Sequence, residues 1–93
     1  MEFEWDEAKD AACLAARGFD FAFTLGVFRD PDRVITRDDR FDYGEARYRA
    51  AGYIEGRLFI VVFTRRGERI RIISARKANR KEVARHGNPA RQA

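Results

Sequence analysis

The chain has one cysteine, one histidine and two prolines in its 93 residues. A lone cysteine, Cys13, can form no disulfide within the chain. That excludes a disulfide-stapled scaffold and points to a reducing, cytoplasmic setting. Cys13 reads as a small buried residue on a helix, with a nucleophile as the alternative. The lone histidine, His86, leaves no histidine pair of the kind many nucleases use. No carboxylates recur at metal-ligand spacing, so neither a metal nor another cofactor is expected. Long apolar runs are missing too. The longest, "LFIVVF", suits a strand and is far too short to cross a membrane. A basic, apolar leader is absent as well, because "MEFEWDEAKD" is acidic.

What is present is 45% hydrophobic and 37% charged residues, the balance of a soluble globular domain. The length predicts one domain over residues 1–93, near the lower limit for a core without a staple, with residues 87–93 as a flexible tail. The net charge of +4 conceals an asymmetry. Residues 1–45 carry six Lys/Arg against twelve Asp/Glu, a balance of −6, and residues 46–93 carry thirteen against three, a balance of +10. A basic half of this kind points to a polyanion such as RNA. The other reading is that the two halves neutralise each other in the fold.

Asp6 can cap a helix running to about Arg17, which Gly18 would stop. Asp20 can cap a second, with Phe21, Leu25 and Phe28 on one stripe, although the alternation of Phe19, Phe21 and Phe23 would also suit a strand. "FEW" is a short strand or a lead-in. "RVIT", "RYRAAGYI", "RLFIVVFT" and "RIRIISA" read as strands, and "RDDRFDYGEA" as a loop. Glu55-Gly56 and Gly67-Glu68 are tight turns, the second of type II′. Asn79 can cap a short terminal helix that ends at Gly87-Asn88-Pro89. The predicted fold is therefore α+β and two-layered: N-terminal helices packed on an antiparallel meander of about four strands, followed by a short C-terminal helix.

Two-residue turns fix the register of the meander. Uninterrupted pairing sets Thr64 against Arg71, Val62 against Ile73 and Ile60 against Ala75. Tyr48, Phe59, Val61, Phe63, Ile70, Ile72 and Ser74 then share an apolar face for the helices. The opposite face has an apolar end of Tyr53, Leu58, Ile60 and Ile73, which needs cover from the terminal helix or a partner. Its other end holds Arg47, Arg49, Thr64 and Arg71. Arginine forks match phosphate oxygens two at a time, and Lys77, Arg80, Lys81 and Arg85 can rim such a groove. The bland alternative is a solvated face. The same register puts Arg76 on the apolar face at the exit of the strand, where it would either bend out of the sheet or pair with an acidic residue of the first helices, such as Asp6 or Glu7, and pin strand to helix.

"FEWDEAK", "VFRDPDRV", "DDRFDYGEARYRAAG" and "RLFIVVFTRRGERIRIISARKANRKE" together resemble the BrnT family of bacterial toxins, over Phe3 to about Glu82. The resemblance implies a RelE-like fold and a ribonuclease of a type II toxin–antitoxin pair that inhibits translation. It also implies a partner, the ribbon-helix-helix antitoxin BrnA, which neutralises the toxin and contacts operator DNA, and a toxin–antitoxin heterotetramer as one assembly. Trp5, Asp6 and Lys9 match the start of the family's first helix. Tyr43, Gly44, Glu45 and Arg47 match "YGE.R", and Arg65, Gly67, Arg71, Ser74 and Arg76 match the hairpin. Cys13 and Arg17 stand where the family usually has Asn and His, and His86 stands near a usual tyrosine.

RNA cleavage without metal requires an activated 2′-hydroxyl, a protonated 5′-oxygen and stabilised phosphate charge. Arg47, Arg49 and Arg71 are candidates for the phosphate. Glu45 is a candidate base or arginine orienter, and His86 a candidate proton carrier, since histidine titrates near neutrality. Arg65, Arg76, Lys77, Arg80 and Lys81 are candidates for binding RNA, and Tyr43 and Tyr48 for stacking on bases. The competing function is a non-catalytic module that binds nucleic acid or protein through the basic sheet face.

Overall fold

The computed structural model describes residues 1–40 and 42–87. Two helices, a five-stranded mixed sheet and a short terminal helix make an α+β fold. "FEW" belongs to a strand, β1 (Glu2–Trp5). It is followed by α1 (Glu7–Arg17), α2 (Phe21–Thr24) and a 3₁₀ turn (Leu25–Arg29). Then come β2 (Val34–Arg37), β3 (Tyr48–Ile54), β4 (Arg57–Arg66), β5 (Arg69–Lys77) and α3 (Arg80–His86). The sheet order is β1-β5-β4-β3-β2, with β1 parallel to β5 and every other pair antiparallel. The predicted meander thus gains a parallel fifth strand at its edge. Of the expected tail, everything beyond Gly87 lies outside the described residues.

The helix boundaries follow local chemistry. Asp6 accepts from the N–H groups of Ala8 and Lys9, and Gly18 closes α1 with a left-handed φ of 82°. Asp20 caps α2 through the N–H of Phe23, which settles Phe21–Thr24 as helical with Phe19 and Asp20 leading in. α1, α2 and the 3₁₀ turn cover one sheet face. Phe21, Val27, Phe59, Val61, Phe63, Ile70, Ile72 and Ala75 are buried there. Edge-to-face ring pairs knit the layers: Trp5 with Phe21, Phe19 with Phe59, and Phe28 with Phe63. Tyr48 belongs to this layer and stacks on Phe63, so it is a core ring and not a base platform.

The register holds through the first hairpin, where Tyr53 faces Leu58 and Arg49 faces Val62. In the second it holds from Arg66–Arg69 to Phe63–Ile72 and then slips: Val62 faces Ser74, Val61 faces Ala75 and Ile60 faces Arg76. Ile73 is the extra residue of a β-bulge. Because side chains alternate, this single insertion exchanges the faces of everything after it. Ala75 turns into the core at 2% exposure, and Ser74 and Arg76 move to the other face. The expectation that Arg76 lies on the apolar face, against Asp6 or Glu7, is overturned by the bulge, and Ser74 likewise leaves that face.

Where strands end early, side chains replace strand partners. β1 stops opposite Ile72, and further along β5 the carbonyl of Ala75 accepts from Arg17 Nε at 3.0 Å, with Cys13 Sγ 3.7 Å away. β2 stops opposite Ala51, and the N–H of Tyr53 donates to Asp30 Oδ2 at 2.7 Å. Burial raises the pKa of the Cys13 thiol, which is opposite to what a nucleophile needs.

Candidate active site

The sheet face away from the helical layer is organised in rows that run across the strands. Glu4, Arg71 and Thr64 form the first row, and Arg47, just before β3, continues it. Ser74, Val62, Arg49 and Thr36 form the second. Arg76, Ile60, Ala51 and Val34 form the third, and Leu58 with Tyr53 the fourth. Arg47, Arg49 and Arg71 therefore share one face, and the bulge adds Arg76 to it. With neighbouring strands about 4.8 Å apart, such rows bring guanidinium groups within reach of one extended ligand.

Each of these arginines is held by a carboxylate. Arg71 Nη1 donates to Glu4 Oε2 at 2.8 Å, and Arg69 lies 3.2 Å from Glu2 and 3.5 Å from Glu4. At this edge the acidic half of the chain does neutralise the basic half. The hydrogen bond from Arg71 holds the Glu4 carboxyl below its ordinary range. Arg47 sits 4.1 Å over the ring of Tyr43, with its Nε 3.8 Å from Glu45 Oε2, a Coulombic contact too long for a hydrogen bond. That Nε is buried without a hydrogen-bond partner among the described residues. Glu45 also lies 3.6 Å from Arg66.

Glu82, on the first turn of α3, is the most constrained group of the site. Arg76 donates to both of its oxygens, at 2.7 and 2.8 Å, and Arg49 Nη2 donates to Oε2 at 2.6 Å. The N–H of Asn79 donates to Oε1, while Asn79 Oδ1 accepts from the Glu82 N–H, a reciprocal capping box. The four donors occupy the carboxylate's acceptor sites. Led by the Arg76 hydrogen bonds, they hold its pKa at about 2. Glu82 thus ties β3, β5 and α3 together at one point, and a carboxylate so stabilised is a poor base. On the rim, Asp38 has its carboxyl held at about 2 by Arg40, whose guanidinium also lies near enough to oppose the charge of Arg76.

α3 covers the apolar end of the face. Leu58 is 1% exposed, Tyr53 packs on His86 with ring centroids 5.5 Å apart, and the Tyr53 hydroxyl donates to the Gly87 carbonyl. Between α3 and β2 remains an open pocket of about 200 Å³. Its floor is Val34, Ala51 and Ile60, and its rim is Thr36, Arg49, Glu82, Arg85 and His86. Among the described residues, no three His, Cys, Asp or Glu side chains converge as metal ligands.

A comparison with protein families matches residues 5–82 to the model for the ribonuclease toxin BrnT of type II toxin–antitoxin systems. The chain belongs to the BrnT family. Among curated proteins, none matches it significantly. The BrnT match runs from Trp5, the ring on Phe21, to Glu82, the carboxylate clamping Arg49 and Arg76. As the toxin of a type II pair, a BrnT protein has an antitoxin as its partner.

The site residues expected from sequence separate into two groups. Arg47, Arg49, Arg71, Glu45, Arg76 and His86 come together on the open face or at its pocket. Arg65 and Lys77 pair with Ile70 and Phe59, which puts them by register on the helix-covered side, away from the groove. Arg80 and Lys81 are exposed on α3, and Arg80 lines a recess with Tyr53 and Leu58 on the far side from the pocket. Sequence reasoning missed Glu4 and Glu82 as the partners of the arginines. The Asn79-x-x-Glu82 spacing, a capping-box signature, was the available signal for Glu82.

Proposed function

We propose that the chain is an endoribonuclease that works without a metal ion, cutting RNA and so stopping translation. The observation that carries this reading is the convergence of Arg49, Arg85 and His86 on one pocket, beside the row of Arg47 and Arg71. In the reaction, the 2′-hydroxyl attacks the adjacent phosphorus as the bond to the 5′-oxygen breaks. One proton leaves the 2′-oxygen and one reaches the departing 5′-oxygen. His86, the one histidine of the chain and placed at the pocket, takes the proton from the 2′-oxygen as base, and the departing 5′-oxygen takes its proton from water. Glu82 is not the base, because its lone pairs are engaged and its pKa is about 2. Arg49 and Arg71, held by Glu82 and Glu4, stabilise the phosphate charge as it builds, without having to reorganise. Arg47, Arg76 and Arg85, with Arg80 and Lys81 further out, hold the RNA backbone. The site operates in the reducing cytoplasm that a single, unactivated thiol suits.

The test is cleavage of a defined RNA by the purified chain, freed of its partner, with chelator and without ribosomes. Arg49→Gln and His86→Ala should each slow cleavage by about 10²-fold or more while leaving the fold intact. A wild-type chain that binds the RNA but leaves it whole would mark it as a binding module.

For the partner, we propose a BrnA-like ribbon-helix-helix antitoxin. It sets acidic side chains against the arginine rows, joins the toxin in a heterotetramer, and makes the only link to operator DNA. Charge complementarity of this kind mainly accelerates encounter, so association should slow as salt rises.

A further inference from the structure

The pocket between β2 and α3 adds an apolar floor beside the arginine rows. Its floor is a single row of the sheet, Val34, Ala51 and Ile60, paired in register across β2, β3 and β4. The hollow exists because the middle residue of that row is alanine, between two branched side chains. At about 200 Å³ it is smaller than the roughly 300–1,000 Å³ of sites for drug-sized ligands, so it has room for one ring system. Val34 is 47% exposed on an edge strand, an aliphatic surface that the described residues leave open. Above this floor stand the planar groups of Arg85 and His86 and the hydroxyl of Thr36, whose neighbour across the ladder is Arg49. A flat apolar floor, planar walls, one hydroxyl and an adjacent phosphate-binding arginine are the chemistry of a single unstacked nucleobase.

We infer that this pocket receives one base of the RNA, next to the phosphate held by Arg49, and that Thr36 reads its edge. The inference rests on the ribonuclease reading and adds base selection to it. Ala51 sets the depth of the pocket, Val34 and Ile60 supply the contact surface, and Arg85 covers the inserted base from α3. The phosphate rows are indifferent to sequence, so the selectivity of the chain resides in this pocket.

The experiment uses four labelled trinucleotides that differ only in the middle base. Each carries 2′-O-methyl groups on its first two sugars, so that neither linkage can be cut. Affinities for wild type, Ala51→Leu and Thr36→Val are read by fluorescence anisotropy, alongside cleavage of unmodified RNA and affinity for the antitoxin. Wild type should prefer one base by about tenfold or more. Ala51→Leu should erase the preference and weaken that trinucleotide about tenfold. Thr36→Val, isosteric and exposed, should reorder the four bases without lowering the melting temperature. Equal affinity of wild type for all four would overturn the inference. So would an unchanged ranking in both variants, or variants that lose antitoxin affinity with RNA ranking intact, which would make the pocket the partner's. A base ranking that follows the pocket, in a chain that cuts no RNA, would instead defeat the ribonuclease reading alone.

Discussion

Glu82 shows how one side chain can serve stability and chemistry together. Its ordinary pKa of 4.5 falls to about 2 in the folded chain. A folded value below the unfolded one stabilises the protein above about pH 4.5, and that stabilisation drains away as pH falls toward 2. The gap corresponds to on the order of 3 kcal/mol. In urea unfolding, Glu82→Gln should therefore cost about that much at pH 7, and wild type and variant should converge near pH 2. A constant difference across that range would mean that the ion pairs contribute little. Asp38, also held at about 2, loses its stabilisation in the same window in both proteins, so the variant should remain partly acid-sensitive. The arginines partnered by Glu82 were legible as a basic cluster, but the position of Arg76 was not. In "RIRIIS" polar and apolar residues alternate until Ile72 and Ile73 stand together. Uninterrupted pairing treats that doublet as a break in the pattern. An extra residue at Ile73 restores the pattern, with Ser74 out, Ala75 in and Arg76 out. Register arguments from tight turns hold only as far as the first bulge, and a doubled apolar residue marks where to expect one.

At the level of elements, the 3₁₀ turn comes close against β3 at Gly52. A Cβ on Gly52 would lie 2.9 Å from the Val27 carbonyl oxygen and 3.0 Å from its Cγ1. Val27 is fully buried, so neither atom can retreat cheaply. Gly52→Ala should cost about 1–3 kcal/mol, seen as a fall in melting temperature of roughly 4–8 °C per kcal/mol in a domain of this size. At Gly18 a Cβ would meet no atom, so there substitution would test the left-handed backbone alone. The sequence announced the helices through Asp6, Asp20 and Asn79, because capping is a local interaction. It did not announce β1 as a strand with certainty. Four residues carry little periodicity, and the partner of β1 lies at the other end of the chain.

For the whole molecule, charge is both matched and left over. Glu2 and Glu4 neutralise Arg69 and Arg71, and Glu82 is shared by Arg49 and Arg76. The open face still carries more guanidinium groups than carboxylates, and Arg85 adds to it at the pocket. On single-stranded RNA, each phosphate neutralised steepens the slope of log affinity against log salt by about 0.7. Replacing Arg47, Arg49 and Arg71 together by glutamine should flatten that slope by about 2 and weaken binding at low salt, with circular dichroism confirming the fold. An unchanged slope would move the RNA off this face. The pairing of β1 with β5 has one more consequence, which concerns the order in which the molecule is made. Glu4 and Arg71 are separated by 67 residues. At synthesis rates of about 5–20 residues per second, several seconds pass between the two. Contacts of such long range also form late once the chain is free. Glu82, the clamp on Arg49 and Arg76, is later still. A ribosome making this toxin therefore holds an unfinished sheet for most of each round of translation. The cell has that interval in which to supply the antitoxin before the toxin is complete.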